Sequence, residues 1–165
     1  MSRRWLVVGV CVLVLLGGAA WLRHLAQGPG GTDAQQILAQ IERGKLAAEQ
    51  RNAGALMRLV SPDYKDEMGI TRPGLFLRVR EQLRDAQQFE VNVPAHELHI
   101  AVAPNGREAT VTGQMELRIT GSQGDVQTST LTPTLYWRKE RVRRYLVFPV
   151  EEWRVVKAVG AAPEE

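Results

Sequence analysis

Two histidines and a glutamate in the stretch His96-Glu97-Leu98-His99 could do chemistry, either as metal ligands or as proton carriers near neutral pH. Side chains alternate between the two faces of a β-strand, so His96 and His99 would point in opposite directions on a strand. They could not hold one ion in the way that the i, i+4 histidine pair of a helical zinc site does. The spacing therefore predicts no metal site and leaves His96 as a candidate for proton transfer.

A proton-transfer site needs further polar groups, and the loop of residues 61–70 offers Tyr64 and Asp66. This loop could close over the mouth of a pocket. In the alternative interpretation, Tyr64 packs between helix and sheet, the aspartates Asp63 and Asp66 cap turns, and His96 is a hydrogen-bonded core residue. The candidate catalytic residues are His96, Tyr64 and Asp66, and each has this structural alternative.

The element that must position His96 is the stretch from Val91 to Thr120, which we interpret as one long antiparallel hairpin. Asn105-Gly106 between two alternating runs predicts a type I′ turn, which has positive φ at both central residues. Counting outward from this turn places four cross-strand pairs on one, largely apolar face: Val102 with Ala109, Ile100 with Val111, Leu98 with Gly113, and His96 with Met115. The other face then carries the pairs Ala101–Thr110, His99–Thr112 and Glu97–Gln114. The hairpin carboxylates Glu97, Glu108 and Glu116 all fall on this polar face, so His96 is the polar side chain that the register aims at the interior.

Three helices are predicted before the hairpin. The first runs from residue 33 to about residue 50 and is capped by Thr32 or Asp33, and the second covers residues 55–60. The third follows Thr71 and has an inner stripe of four apolar residues, Phe76, Val79, Leu83 and Ala86. After the hairpin, a pair of strands is predicted with a turn near Glu140-Arg141, so that Leu135 would meet Leu146.

Large and charged side chains in the last third of the chain suggest two surfaces. Trp137 and Trp153 could line a ligand pocket together with His96 and Met115, or they could fill the core. A dense basic run at the predicted hairpin tip could contact anionic lipid or an acidic partner, or it could be a solvated tip that discourages edge-to-edge aggregation. This run consists of Arg138, Lys139, Arg141, Arg143 and Arg144.

The N-terminus contains a segment that could cross a membrane. Eighteen residues from Trp5 to Leu22 carry no charge, which as a helix gives about 27 Å, enough for a hydrocarbon core. Arg3 and Arg4 precede it and favour a cytoplasmic N-terminus in the bacterial inner membrane, with the remainder exported to the periplasm or outside. The alternative is a cleaved signal peptide and a secreted domain. Cys11, the single cysteine, lies in this segment, so the exported part has no disulfide.

These signals predict a cytoplasmic stub (1–4), a membrane anchor (5–22), a linker (23–32), one domain (33–160) and a polar tail (161–165). The net charge of +3 in 165 residues is small and gives no reason to expect nucleic acid as a partner. The chain has no phosphate-binding loop, dinucleotide fingerprint or nucleophile elbow, and no cofactor is expected.

The order of elements resembles the nuclear-transport-factor-2-like (cystatin-like cone) superfamily. The likeness spans Asp33 to Val159 and depends on the long first helix, the short second helix leading into LVSPDYKDEMGI, the hairpin, and the late tryptophan in EEWRVVKAV. It implies an α+β fold in which about three helices pack on a curved antiparallel sheet of four or so strands and enclose a conical pocket.

The resemblance implies several functions, because this fold hosts many. Some members are isomerases, dehydratases or polyketide cyclases that move a proton inside the cone. Others are binding or assembly modules, including membrane-anchored exported subunits, and many pair through the open sheet face. The first hypothesis is therefore a membrane-anchored module that binds a protein partner, a second copy or a small apolar ligand. The alternative is a small pocket enzyme that uses His96.

Overall fold

The computed structural model describes residues 31–144 and 148–160. The chain forms two compact units, of which one comprises residues 31–140 and 153–160 and the other includes residues 141–152. The predicted cytoplasmic stub, membrane anchor and polar tail lie outside the described residues, as do Cys11 and most of the linker. Among the residues that are described, no helix is both long enough and apolar enough to cross a bilayer.

Three helices open the domain: α1 (Asp33–Glu49), α2 (Ala53–Arg58) and α3 (Arg72–Asp85). The prediction that Thr32 caps α1 is confirmed, because its hydroxyl accepts from the Gln35 N–H while the Gln35 side chain accepts from the Thr32 N–H. Asn52 caps α2 by accepting from the Ala55 N–H, so α2 begins two residues earlier than predicted.

Seven strands follow: β1 (Ala86–Asn92), β2 (His99–Val102), β3 (Glu108–Thr112), β4 (Met115–Gly121), β5 (Val126–Leu131), β6 (Thr134–Arg144) and β7 (Phe148–Val159). They form a three-stranded sheet in the order β1-β4-β5 and a four-stranded sheet in the order β2-β3-β6-β7. The α+β class is confirmed. The prediction of a single sheet of about four strands is wrong, because the strands of the predicted hairpin divide between two sheets.

The register of the β2–β3 pair is the predicted one, with Ile100 opposite Val111 and Val102 opposite Ala109. The predicted turn type is wrong, because only Gly106 has positive φ there, at 62°. The connection is a longer loop in which the Gly106 N–H donates to the Ala103 carbonyl and the Ala103 N–H donates to the Glu108 carbonyl. A longer loop can therefore keep the register that a two-residue turn would set.

The hairpin does not continue to Val91 as predicted. Residues 93–98 leave the ladder, and pairing resumes between β1 and β4 with Val91 opposite Leu117. Pro94 lacks an N–H for the ladder, and its carbonyl instead accepts from the Glu97 N–H in a 3-10 turn over Ala95–Glu97. Gly113 permits a close approach on the opposite strand, because a Cβ there would lie 2.6 Å from Leu98 Cδ2.

The predicted turn at Glu140-Arg141 is also wrong, because β6 runs without interruption to Arg144. Leu135 lies opposite Val111 of β3. Residues 145–147, which include Leu146, lie outside the described part of the chain. In the unit that includes residues 141–152, Val150 is buried while Arg141 is exposed.

Two apolar clusters hold the larger unit together. The first joins Ile37 of α1 to Val111, Trp137 and Trp153 of the four-stranded sheet. The second contains Met57, Val60 and Tyr64, against which the predicted inner-stripe residues Phe76 and Val79 of α3 pack. Burial of such side chains supplies the main favourable term in folding, at about 1.5–3 kcal/mol for each large residue.

Candidate functional site

His96 does not lie on the apolar face of a strand. It belongs to the 3-10 turn between β1 and β2, its side chain is 82% exposed, and its Nε2 lies 3.6 Å from Glu97 Oε1. Met115, its predicted cross-strand neighbour, instead lies opposite Leu131 of β5. The correction follows from the break at Pro94, which removes His96 from the ladder and turns it outward.

Tyr64 and Asp66 take the structural roles of the alternative interpretation. Tyr64 is buried against Met57 and Val60, and this burial, with the nearby Asp66 carboxylate, raises the pKa of its hydroxyl. Asp66 accepts from the Ile70 N–H at 2.7 Å and so closes a turn. These two residues lie together in one loop, and His96 does not join them.

Between α1 and the described strands lies a cavity of about 20 Å³, bordered by Ile41, Leu98, Met115 and Leu135 among others. That is room for about one water molecule, whereas ligand pockets measure about 300–1,000 Å³. The space is therefore too small for an organic substrate.

Trp137 and Trp153 fill the core, and Trp137 also borders a groove of about 570 Å³ on the four-stranded sheet. They are 3% and 1% exposed and pack around Ile37. Within the part of the chain that the structure describes, neither indole N–H has a hydrogen-bond partner. Lys139 places its Nζ 5.0 Å from the centroid of the Trp153 ring, a distance at which a cation and an aromatic face attract each other.

The predicted basic run is divided by the fold. Lys139 pairs with Asp33 at the start of α1, and its side chain is mostly buried. Arg138 pairs with Asp63 and Glu140, and hydrogen bonds to these carboxylates raise the pKa of its guanidinium. Arg141 is exposed, and the side chains of Arg143 and Arg144 are not described. Arg138 and Lys139 thus hold elements of the domain together.

A buried serine completes the network around Arg138. Ser61 is fully buried, donates its hydroxyl to Glu140 Oε1 at 2.7 Å, and accepts from the Asp63 N–H at 3.1 Å. The network joins the loop after α2 to β6. Local sequence patterns could not reveal it, because Ser61 and Glu140 are 79 positions apart.

The outer face of the four-stranded sheet, opposite α1, carries a groove of about 570 Å³. Small side chains form its floor, because Ala101 lies opposite Thr110 and Thr110 lies opposite Tyr136. Tyr136 forms a wall, is 39% exposed, and has the Nζ of Lys157 5.7 Å from its ring centroid. Sequence analysis did not single out Tyr136. Its place in the run TLYW, between the inward residues Leu135 and Trp137, was the available signal.

The groove combines an apolar floor with charges of both signs at one end. Glu108 and Arg138 lie opposite each other in the β3–β6 ladder and both border it. Such a surface can bind a partner that offers an apolar side chain flanked by polar groups. Among the described residues, no group of three or more histidine, cysteine or carboxylate side chains is arranged to hold a metal ion.

No protein-family model matches this sequence, and no curated protein sequence is similar to it. Solved structures are similar in fold. A nuclear-transport-factor-2-like superfamily protein from Salmonella enterica subsp. enterica serovar Typhimurium is 15% identical, with a TM-score of 0.61 over 81% of this chain and 92% of that one.

Two further neighbours differ in the roles that their names give. A candidate calcium/calmodulin-dependent protein kinase II association domain from Xanthomonas campestris is 15% identical, with a TM-score of 0.61 over 85% of this chain and 94% of that one. A candidate dehydratase from Streptomyces avermitilis is 14% identical, with a TM-score of 0.61 over 76% of this chain and 93% of that one. The chain thus has the nuclear-transport-factor-2-like fold, and at these identities the likeness carries the fold alone.

Proposed function

We propose that this chain is a membrane-anchored, exported binding module that docks a protein partner on the outer face of its four-stranded sheet. The observation that carries the proposal is the contrast in space between the two faces of that sheet. The cavity on the inner side measures about 20 Å³, whereas the groove on the outer face measures about 570 Å³. Of these two spaces, only the groove on the outer face is large enough to hold part of a binding partner.

The composition of the groove favours a protein over a small apolar molecule. Its floor is shallow and open, so it would leave much of a small ligand in water, whereas binding pockets enclose most of a ligand's surface. Tyr136 offers a large amphipathic ring, a residue type that is enriched where proteins bind each other. Glu108 and Arg138 at one end could orient the partner.

The candidate catalytic residues do not favour the enzyme alternative. His96 is exposed on a turn, Tyr64 is buried in an apolar cluster, and Asp66 closes a turn. Proton transfer needs such groups within hydrogen-bond reach of one substrate. Among the structural neighbours, the name of the association domain agrees with the proposal, and the name of the candidate dehydratase agrees with the alternative.

The anchor is supported by the sequence of residues 3–22, where two arginines precede eighteen uncharged residues. An anchored module needs a docking surface on its exported part, and the groove lies on that part of the chain. Residues 1–30 lie outside the described structure, so fractionation supplies the test of the anchor. The protein should stay in the membrane pellet after alkaline washing, and a cleaved, secreted form would appear in the soluble fraction.

A photo-crosslinking amino acid placed at Tyr136 tests the docking surface in the full chain, expressed in bacterial membranes. We expect a position-specific covalent adduct with one envelope protein, or with a second copy, whose mass identifies which. The matched control carries the same crosslinker at Leu77, an apolar residue of α3 that is 62% exposed. Leu77 should give no such adduct, because it lies on a helix and away from the groove.

Substitution sharpens the same test. Tyr136→Ala should abolish co-purification of the crosslinked partner from detergent-solubilised membranes, while Leu77→Ala should leave it unchanged. Circular dichroism must show that both variants remain folded. Equal adducts at positions 136 and 77, or an unchanged partner with Tyr136→Ala, would refute docking at the groove.

A further inference from the structure

Four strands lie at the edges of the two sheets, and they differ in the features that protect those edges from pairing with another chain. The strand orders place β1 and β5 at the edges of one sheet and β2 and β7 at the edges of the other. Free edges invite pairing with other chains, and proteins block them with short strands, bulges, proline, charge or a covering element. Three of these four strands carry such features.

The protected strands illustrate each device. β2 has only four residues. β1 has a register irregularity between Ala86 and Gln88, carries Glu90, and contacts α1 and α3. β7 contains Pro149 and the charged residues Glu151 and Lys157. These features make a regular ladder with another chain unfavourable at those edges.

Of these features, β5 lacks the charge, the proline and the bulge. Its sequence from Val126 to Leu131, VQTSTL, contains no charge, proline or glycine. It pairs with β4 over six consecutive residues without a register shift, so the strand is regular. Val126 is 49% exposed, although it is a β-branched apolar residue. Within the described residues no strand pairs with the outer edge of β5.

We propose that the outer edge of β5 pairs antiparallel with β5 of a second copy, so that two three-stranded sheets join into one of six strands. In an antiparallel ladder every second residue directs its N–H and C=O toward the neighbouring strand, so β5 presents three residues' worth of backbone groups to its partner. This inference is independent of the proposed function, which concerns the other sheet.

Self-complementarity identifies the second copy as the occupant. If the two-fold axis passes through Thr128, that residue faces its own copy, Val126 faces the partner's Thr130, and Gln127 faces the partner's Ser129. A shift of the axis to Ser129 also places only uncharged residues opposite one another, and hydroxyl and β-branched pairs stabilise ladders. The adjacent strand β4 could not pair with itself so freely, because it carries Glu116 and Arg118.

The length of the contact predicts its strength. Six residues extend about 20 Å, which is short for a stable interface. The dimer should therefore be reversible and concentration-dependent. Anchoring of both copies in one membrane would raise their effective concentration and favour pairing.

Cysteine crosslinking in the full chain tests the geometry. In a Cys11→Ser background, Thr128→Cys and Ser129→Cys should each be compared under mild oxidation in detergent micelles. We expect a covalent dimer at one of the two positions. The matched control is Gln87→Cys on β1, which is exposed at the opposite edge of the same sheet. Equal crosslinking at Gln87, or none at either β5 position, would overturn the proposal.

Charge exchange tests the energetics. The double variant Thr128→Lys with Thr130→Lys should weaken self-association by roughly tenfold in sedimentation experiments, because like charges then meet across the axis. Its glutamate counterpart should behave in the same way, and an equimolar mixture of the two should restore association. Gln87→Lys adds charge to the opposite edge and should have no effect, and thermal unfolding verifies that each variant is folded.

The remaining outcomes separate this proposal from docking at the groove. If Tyr136→Ala abolishes self-association and the β5 variants do not, the copies meet at the sheet face and the edge proposal is wrong. If the chain stays monomeric while the β5 lysine variant loses a different protein, the edge binds that protein and the second copy is wrong. A dimer lost with the β5 variants and kept with Tyr136→Ala supports the edge, whatever the groove binds.

Discussion

The two faces of the four-stranded sheet use the same strands for opposite purposes. On the inner face, Ile100, Leu135, Trp137 and Trp153 pack toward α1. On the outer face, Ala101, Thr110 and Tyr136 alternate with them and form an open groove. The alternation of side chains along a strand thus places the buried residues on one face and the groove residues on the other.

The difference is one of side-chain volume rather than of backbone. Two tryptophans and Ile37 pack on the inner side, and the cavity of about 20 Å³ beside them is too small for an organic substrate. The comparison teaches that the side chains on each face of a sheet decide how much space that face offers.

The largest effect should follow from removing the side chain that fills the inner face. Trp153→Ala should lower the free energy of unfolding by about 3–5 kcal/mol, because its buried contacts are lost and a void remains. Chemical denaturation followed by circular dichroism measures this. The matched outer-face variant Tyr136→Ala should lose less free energy of unfolding than Trp153→Ala, because Tyr136 is 39% exposed whereas Trp153 is buried. Similar losses for both would contradict the contrast between the faces.

A smaller effect is expected at the hydrogen-bond network that joins Ser61 to Glu140 and Arg138. Ser61→Ala removes a buried donor to Glu140, and we expect a loss of about 1–3 kcal/mol in the free energy of unfolding. Asp63→Ala is the control, since its side chain is 75% exposed, and its exposed ion pair with Arg138 should contribute less than about 1 kcal/mol. A Ser61→Ala variant as stable as the parent would show that the hydrogen bond from Ser61 to Glu140 does not stabilise the folded state.

Local signals predicted much of the fold and failed at identifiable points. The capping box at Thr32 and the β2–β3 register follow from neighbouring residues, and both are confirmed. The break at Pro94 was also encoded locally, because proline cannot donate to a ladder. The alternation on both sides of Pro94 predicts an unbroken hairpin, and that pattern alone places His96 wrongly on the apolar face.

The remaining features depend on residues that are distant in sequence. The Ser61–Glu140 hydrogen bond and the Lys139–Asp33 pair join positions 79 and 106 apart. The space left in the interior depends on how Trp137 and Trp153 pack against Ile37. The periodicity of the sequence does not predict this packing. Pattern alone could assign these residues to the inner face, but it could not show that they pack together in one cluster.

Tyr64 allows burial in the second apolar cluster to be tested through the pH dependence of stability. Its pKa is raised by burial and by Asp66, so the folded state holds the phenol proton more tightly than the unfolded state does. The stability from this difference is present below about pH 10 and is lost as pH rises through the higher folded pKa. Tyr64→Phe should therefore show a flatter decline in unfolding free energy between about pH 9 and about pH 11.

The ionisation itself can be observed by tyrosinate absorbance near 295 nm. In the native parent, one phenol should titrate later than it does in the denatured chain, and Tyr64→Phe should remove that late component. A late component that survives Tyr64→Phe would place the shifted phenol elsewhere.

The smallest effect is expected at the residue that the sequence marked most clearly for chemistry. His96 is 82% exposed, and its imidazole lies 3.6 Å from an exposed carboxylate of Glu97. His96→Ala should change the free energy of unfolding by less than about 0.5 kcal/mol, as is usual for surface positions without special contacts. It should also leave partner binding at Tyr136 unchanged. If His96 instead transferred a proton at an interior site, His96→Ala would abolish that activity. A loss comparable to that of Trp153→Ala would mean that the imidazole is buried, and the outward turn after Pro94 would be wrong.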